Sequence, residues 1–320
     1  MAVKILGTGS FLPEKRVTND DLAQVIDTSD EWISSRTGIS ARHISVKDTT
    51  SSMAVKAAKN ALEDAGIAPE ELDHIFVATL SGDYATPSTS CQVQKGIGAV
   101  NAVCMDLNAA CSGFIFGLQT ALAYAKAGMG KKMMIIGVET LSKLMDWEDR
   151  GTCVLFGDGA GCAIVEADPE RKVFIDAGSK GEMGDVLACE ERHLNNLLIK
   201  DDNPPKQVVM DGQAVFKFAV RIIPKSIRKV LEIAGVSESE IKFFVLHQAN
   251  RRIIESAAKR LKEPIEKFPM NLDQCANTSS ATVPILLDEI NKKGMLCPGD
   301  KIILCGFGGG LTWGSVYLEW

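Results

Sequence analysis

Three residues stand where their types and settings could do chemistry: Cys111, His247 and Asn277. Cys111 lies in Asn108-Ala109-Ala110-Cys111-Ser112-Gly113-Phe114, at the start of an expected helix that Gly128 ends. A helix N-terminus offers unpaired N–H groups and about half a positive charge, which lowers a thiol pKa and favours the nucleophilic thiolate. Small neighbours leave room for a substrate. Cys111 equally reads as one more small buried hydrophobe, the default for cysteine. His247 closes the apolar run 241–246 and precedes a basic helix opened by Asn250; the carboxyl end of a strand is where α/β proteins carry functional side chains. Against that stands the ordinary reading of a satisfied polar residue. Asn277, in Gln274-Cys275-Ala276-Asn277-Thr278-Ser279-Ser280-Ala281, reads as a site residue or as a helix N-cap, and Pro284 makes that helix start irregular. Gly306-Phe307-Gly308-Gly309-Gly310 joins two strands. Consecutive glycines let backbone N–H groups approach a ligand, as an oxyanion hole requires; a tight hairpin turn is the other reading.

The elements that would position these residues alternate between strand and helix, which predicts the α/β class. Strand patterns cover 73–79, 102–107, 132–137, 152–156, 161–166, 242–246, 301–305 and 313–319. Helical periodicity covers 51–65, 112–127, 214–234 and 251–262. The segments 65–73 and 234–242 resemble each other, as do 106–108 and 271–273, 126–129 and 292–295, and 161–166 and 314–319. Four matches in one order predict two similar halves, 1–170 carrying the cysteine and 171–320 carrying His247 and Asn277. Counted back from Gly128 and Gly294, Cys111 falls opposite Asn277, and the two helix starts are expected to meet at the centre.

Composition narrows the function classes. The 320 residues carry a net charge of −6, which argues against nucleic acid as a partner, and no apolar run is long enough to cross a membrane. The apolar run at the N-terminus is too short for a secretory leader, so a cytoplasmic location and free thiols are expected. The nine cysteines include no C-x-x-C pair, so no metal site is signalled. Charge is nonetheless uneven: 213–230 has five basic residues and no acid, and 249–262 has five against Glu255. Such a basic patch on an acidic protein suits an acidic partner and a polyanionic ligand.

Taken with Asp27-Thr28-Ser29-Asp30-Glu31-Trp32-Ile33, Arg36-Thr37-Gly38-Ile39, Phe156-Gly157-Asp158-Gly159-Ala160-Gly161, His247-Gln248-Ala249-Asn250, Asn277-Thr278-Ser279 and Phe307-Gly308-Gly309-Gly310-Leu311-Thr312-Trp313-Gly314-Ser315, the whole chain resembles the β-ketoacyl-acyl carrier protein synthase III family. The resemblance implies a duplicated five-layer αβαβα thiolase-like fold, a homodimer, and decarboxylative condensation of an acyl-CoA primer with malonyl-acyl carrier protein. It implies Cys111 as the acylated nucleophile, His247 and Asn277 as donors to the malonyl thioester carbonyl, and the N–H groups of Cys111 and Gly309 as the oxyanion hole. Coenzyme A contacts would fall to Thr28, Trp32, Arg36, Arg150, Gly212, Phe216, Ala249, Asn250 and Arg252. Lys217, Arg252 and Lys259 would meet the acidic carrier protein. No permanently bound cofactor is implied, acyl-CoA being a substrate. Thr28 and Glu31 form a capping-box pattern that sets Trp32 and Arg36 one turn apart on one face, where an indole and a guanidinium can sandwich an adenine. Thr86 stands where several family members carry a bulky aromatic that reaches the neighbouring subunit's acyl pocket, so a roomier pocket is expected. Cys305 lies one residue before the second cysteine of degradative thiolases. A papain-like protease shares the Cys, His, Asn order but not the residues after Cys111. Hydroxymethylglutaryl-CoA synthases and polyketide-type synthases are rivals separable by extender substrate, and a non-catalytic binding protein would tolerate Cys111→Ala.

Overall fold

A computed structural model of the chain describes residues 2–320. The chain opens on β1 (Ala2–Phe11), after which the small ribbon β2 (Arg16–Thr18) and β3 (Ala41–His43) encloses α1 (Asn19–Leu22) and α2 (Asp30–Thr37). There follow α3 (Thr50–Ala65), β4 (His74–Ala78), α4 (Thr89–Ile97), β5 (Val103–Leu107), α5 (Gly113–Lys126), β6 (Lys132–Glu139) and β7 (Gly159–Asp168). The later chain gives β8 (Phe174–Ser179), the ribbon β9 (Leu187–Ala188) and β10 (Val209–Met210), α6 (Gly212–Ala234), β11 (Phe243–Leu246), α7 (Arg251–Leu261), α8 (Leu272–Cys275), α9 (Thr282–Lys292), β12 (Lys301–Gly308) and β13 (Thr312–Glu319).

Two sheets organise these elements, ordered β1-β7-β6-β4-β5 and β11-β12-β13-β8. In the first, β4 pairs parallel with β5 and β6 while β7 pairs antiparallel with β1 and β6; in the second, β11 pairs parallel with β12 while β13 pairs antiparallel with β12 and β8. Helices α3 and α4 cover the outer face of the first sheet, α6 and α7 cover the second, and α5 and α9 lie between the sheets. This is the expected αβαβα sandwich. The inner helices bury long apolar sets because both sides are covered: α5 buries Phe114, Ile115, Leu118, Ala121, Leu122 and Ala125, and α9 buries Val283, Ile285, Leu286, Leu287 and Ile290. The outer α6 is amphipathic instead. Its apolar stripe (Ala219, Val220, Ile223, Ile227, Val230, Leu231) is buried, while Lys217, Arg221, Lys225, Arg228 and Lys229 are exposed.

Several expectations are corrected. The run 152–156 is not a strand. Cys153–Leu155 forms a 3-10 turn, and Phe156 makes one isolated parallel bridge to Asn277, because this segment walls a cavity instead of extending a sheet. Helix α2 is capped by Ser29, whose side chain accepts from the N–H of Trp32 at 3.1 Å; Thr28 lies one position outside, so Thr28 and Glu31 form no capping box. The match of 106–108 with 271–273 also fails, since the first ends β5 and the second starts α8.

Candidate active site

The two inner helices begin in the same unusual way. Each is preceded by a 3-10 turn, Ala110–Ser112 before α5 and Ser279–Ala281 before α9, and each turn starts on a non-glycine residue with positive φ, Ala110 at 45° and Ser279 at 49°. That register makes Ser280, not Asn277, the counterpart of Cys111. Asn277 lies two residues before the turn, and α9 is shorter than α5, which shifted the count taken from the distal glycines. The two turns do meet at the centre: a Cβ built on Gly113 would lie 3.4 Å from the Cβ of Ser280.

Between them opens a cavity of about 600 Å³ whose wall includes Cys111, His247 and Asn277 together. Trp32, Arg36, Gly212, Phe216, Lys217, Ala249, Asn250 and Arg252 line the same cavity. Thr28, Thr86, Arg150, Lys259 and Gly309 do not. Arg150 stands beside the mouth, its guanidinium 5.3 Å from the Trp32 ring, with that of Arg36 4.7 Å from the same ring. The face expected to sandwich a planar base is thus assembled by three side chains. Asn250 caps α7 by accepting from the N–H of Arg252 at 2.8 Å and donates to the Arg36 carbonyl at 3.0 Å, and Arg252 donates to the Ser35 carbonyl at 2.7 Å. These bonds tie the start of α7 to α2, so the two sides of the mouth are set relative to each other.

Each of the three chemical residues is fixed by its backbone setting. Cys111 is 6% exposed. Gly308 presses on it, since a Cβ there would lie 2.7 Å from the Cys111 Cβ and 3.0 Å from its Sγ. The β12–β13 turn is tied down by Thr312, whose hydroxyl lies 3.1 Å from the carbonyls of both Ala109 and Gly309. The glycine run is therefore a hairpin turn that also brings backbone against the cysteine. Asn277 is held by the Phe156 bridge, its N–H donating to Leu155 O and its carbonyl accepting from Gly157 N–H, both at 3.0 Å. Its side-chain Oδ1 accepts from the Ser279 N–H at 2.8 Å, which leaves the amide NH₂ as the group facing the cavity. His247 follows β11, and its Nδ1 lies 2.6 Å from the Thr282 hydroxyl, so Nε2 is the ring nitrogen left for the cavity.

The group of Cys111, His247 and Asn277 is electrically neutral. Burial lowers the His247 pKa to about 3, so the ring is uncharged at physiological pH. Burial pushes the Cys111 thiol up to about 12, with the Ser279 hydroxyl drawing it down and Glu139 pushing it further up. This departs from the lowered thiol expected of a helix start. Desolvation outweighs the helix dipole here, and no cation is among the groups that act on the thiol, so the amide groups of α5 act on the thiolate only as it forms.

Glu139 and Thr282 carry no mark in the sequence that sets them apart. The same holds for Leu187 and Met210, which bring the β9–β10 ribbon to the cavity wall. Glu139 ends β6 fully buried and accepts from Ser81 Oγ at 2.6 Å, Ser280 Oγ at 3.0 Å, Thr79 Oγ1 at 3.2 Å and the Leu80 N–H at 3.1 Å. Burial raises it to about 7 against those bonds. A carboxyl whose folded value lies above its unfolded one stabilises the fold at low pH, and that contribution fades as pH rises through 7. Relative to Glu139→Gln, the wild-type protein is expected to lose on the order of 3 kcal/mol between pH 5 and pH 8. Urea unfolding of both proteins at the two pH values measures this; parallel pH curves would refute it.

The sequence profile of 3-oxoacyl-[acyl-carrier-protein] synthase III matches residues 105–181, its C-terminal profile matches 231–320, and the β-ketoacyl synthase N-terminal profile matches 10–121. The chain is 51% identical to the β-ketoacyl-[acyl-carrier-protein] synthase III of Clostridium acetobutylicum, covering 100% of this chain and 99% of that protein. Crystal structures of 3-oxoacyl-[acyl-carrier-protein] synthase III superpose over its whole length. That of Aquifex aeolicus gives a TM-score of 0.92 at 43% identity, covering 99% of this chain and 100% of that one. That of Pseudomonas aeruginosa gives 0.92 at 38% identity, covering 100% and 98%. With the αβαβα sandwich and the Cys111–His247–Asn277 cavity, these likenesses leave one assignment: the chain belongs to the β-ketoacyl-[acyl-carrier-protein] synthase III family.

Proposed function

We propose that this enzyme starts fatty acid chains by condensing an acyl-CoA primer with malonyl-acyl carrier protein, and that Cys111, His247 and Asn277 carry the reaction. The observation that supports it best is the convergence of a buried thiol at a helix start with two neutral side chains in one cavity. In the first half-reaction Cys111 Sγ attacks the acyl-CoA carbonyl. The tetrahedral oxyanion is met by backbone N–H groups, those of Cys111 and Gly309 by resemblance, and the thiol proton leaves with coenzyme A. One thioester replaces another, so little free energy is lost.

In the second half-reaction the malonyl thioester places its carbonyl oxygen between His247 Nε2 and the Asn277 amide. The C–C bond to the carboxylate breaks, CO₂ departs, and the electron pair forms an enolate whose charge those donors stabilise. The enolate carbon attacks the acyl-Cys111 carbonyl, and the thiolate leaves. Neutral donors suit this step; a carboxylate at either position would oppose a developing negative charge.

Trp32, Arg36, Arg150 and Arg252 form the mouth that would hold the coenzyme, with Thr28, Gly212, Phe216, Ala249 and Asn250 around it. Lys217, Arg252 and Lys259 offer cations to the carrier protein. No bound cofactor is needed, and both substrates place the enzyme in the cytoplasm. Residues 1–170 and 171–320 read as duplicated halves. Strand β5 leaves one edge of its sheet unpaired, with Val103 63% exposed. Open edges seek a partner strand, and pairing with a second copy would give the homodimer.

Thr86 lies outside its own subunit's cavity, in keeping with a role in the neighbouring one. Enzyme supplied with malonyl-carrier protein and equimolar acyl-CoA primers is expected to accept branched and longer primers beside acetyl-CoA. Thr86→Phe should cut turnover of the bulkier ones by at least tenfold and spare acetyl-CoA. Mass spectrometry of the acyl-enzyme and of the products reads both; strict acetyl-CoA preference in the wild type would refute the roomier pocket, and failure of any primer to load would refute the condensing function.

A further inference from the structure

Arg42 in β3 is 0% exposed, yet no carboxylate is among the groups that act on it. Burial lowers its pKa to about 10, so the guanidinium stays charged at neutral pH. A cation held out of water without a counter-ion is costly, so its bonds carry the explanation. All its acceptors are neutral oxygens. Nη1 donates to Asn19 Oδ1 at 2.8 Å and to the Val17 carbonyl at 3.4 Å, and Nη2 donates to the Val154 carbonyl at 2.7 Å. Nε has no partner, so the two ends of the fork make every connection. Both lead to the site. Val154 belongs to the 3-10 turn Cys153–Leu155, and Val154, Leu155 and Phe156 line the cavity. The next residues, Leu155 and Gly157, make the backbone bonds that place Asn277. On the other side, the Asn19 amide donates to Asp30 Oδ1 at 2.8 Å and to the Ile39 carbonyl at 2.7 Å. Those two bonds hold both ends of α2, the helix of Trp32 and Arg36.

We propose that Arg42 is a positioning residue for malonyl decarboxylation: its planar fork sets the turn that holds Asn277 at a fixed place relative to α2 and the cavity mouth. The inference rests on the role given to Asn277 above. Two further observations support it. Strand β3 grips the same segment at its other end, where the Asp158 N–H donates to the His43 carbonyl at 2.8 Å. Between these two grips Gly157 packs bare against Arg42. A Cβ there would lie 3.1 Å from the Arg42 Cβ and 3.0 Å from the Cys275 carbonyl oxygen, so the bridge from Phe156 to Asn277 has little slack. The residue type matters for a physical reason. A guanidinium presents donors in a rigid fork and so fixes two acceptors relative to each other, whereas a lysine ammonium is a point charge on a flexible stem.

The test separates the two half-reactions of the intact enzyme: loading of Cys111 from acyl-CoA, read by mass spectrometry, and release of CO₂ from malonyl-carrier protein. Arg42→Lys keeps the charge and removes the fork. It is expected to load Cys111 at the wild-type rate but to release CO₂ on the order of 10²-fold more slowly, the scale for about 1 Å of misplacement at a reacting centre. Gly157→Ala keeps the guanidinium and pushes on the same bridge, so it should show the same selective loss, and it decides the matter should Arg42→Lys fail to fold. Wild-type CO₂ release by either variant would overturn the proposal. Equal losses in both half-reactions would overturn it too, because a residue that only supports the fold weakens both. A wild-type rate of CO₂ release in Asn277→Ala would instead overturn the role of Asn277 itself.

Discussion

Cys111→Ser is expected to give no acyl-enzyme when mixed with acyl-CoA and to lower condensation on the order of 10⁴-fold or more, the scale for losing a nucleophile. The substitution changes one atom in a nearly sealed position, so the cavity and the fold should survive. The chemistry does not survive. With the wild-type thiol held near 12 by burial, the reaction depends on forming a thiolate transiently against the N–H groups at the start of α5. A serine alkoxide in the same place is far harder to form. It would also exchange a thioester for an ester that the second half-reaction cannot readily break. Intact-protein mass spectrometry after incubation with a labelled primer reads the first half-reaction directly. A full complement of label on the serine variant, at the wild-type rate, would remove Cys111 from the mechanism.

The sequence singled out candidate site residues more clearly than it showed how they meet. Cys111, His247 and Asn277 each stood out by a local setting: a small-residue run, a strand end, a polar stretch before an apolar helix. The α/β alternation and the likeness of the halves were also legible, because hydrophobic period and turn residues are local properties. Distances across the centre are not. Counting from distal glycines placed Cys111 opposite Asn277, whereas the backbone pairs it with Ser280, since nothing in the pattern shows that α9 is a turn shorter than α5. The expected lowering of the Cys111 thiol failed for the same reason. Helix position can be read from residues, but burial depends on Gly308 and the β12–β13 turn closing over the thiol from far along the chain. Thr282 and Glu139 were invisible because a hydroxyl in a first helical turn and a carboxylate after an apolar strand are commonplace until their partners are known. The strand expected at 152–156 had the right composition, but its backbone is claimed by Asn277.

The meeting of the two helix starts depends on bare backbone in the strands beneath them, and this makes Gly137→Ala a damaging single methyl group for the site. Gly137 lies in β6, where a Cβ would fall 2.2 Å from the Ser280 carbonyl oxygen, 2.6 Å from its carbon and 3.1 Å from Ala281 Cα. Gly306 in β12 faces the opposite turn in the same manner, with Cys111 O at 3.1 Å and Ser112 Cα at 3.2 Å. Each sheet thus carries a glycine where the other half's helix start presses in. The three nearest atoms a methyl would meet at Gly137 are all backbone, so no side-chain rotation relieves the clash, and the Ser279–Ala281 turn must move. The same turn holds the Asn277 side chain through the Ser279 N–H and, through Thr282, the His247 ring. Gly137→Ala should therefore cost about 3 kcal/mol or more in stability, the upper range for overpacking. Condensation by whatever enzyme remains folded should fall on the order of 10²-fold, the scale for about 1 Å of misplacement at a reacting centre. Gly181→Ala is the matched control, because a Cβ there has no atom within 4 Å and should change neither quantity. Urea unfolding and steady-state condensation on the three proteins separate the outcomes. A Gly137→Ala enzyme as stable as the control would mean that the contact between β6 and the α9 turn yields without cost, and that the two halves of the site are not held in register by it.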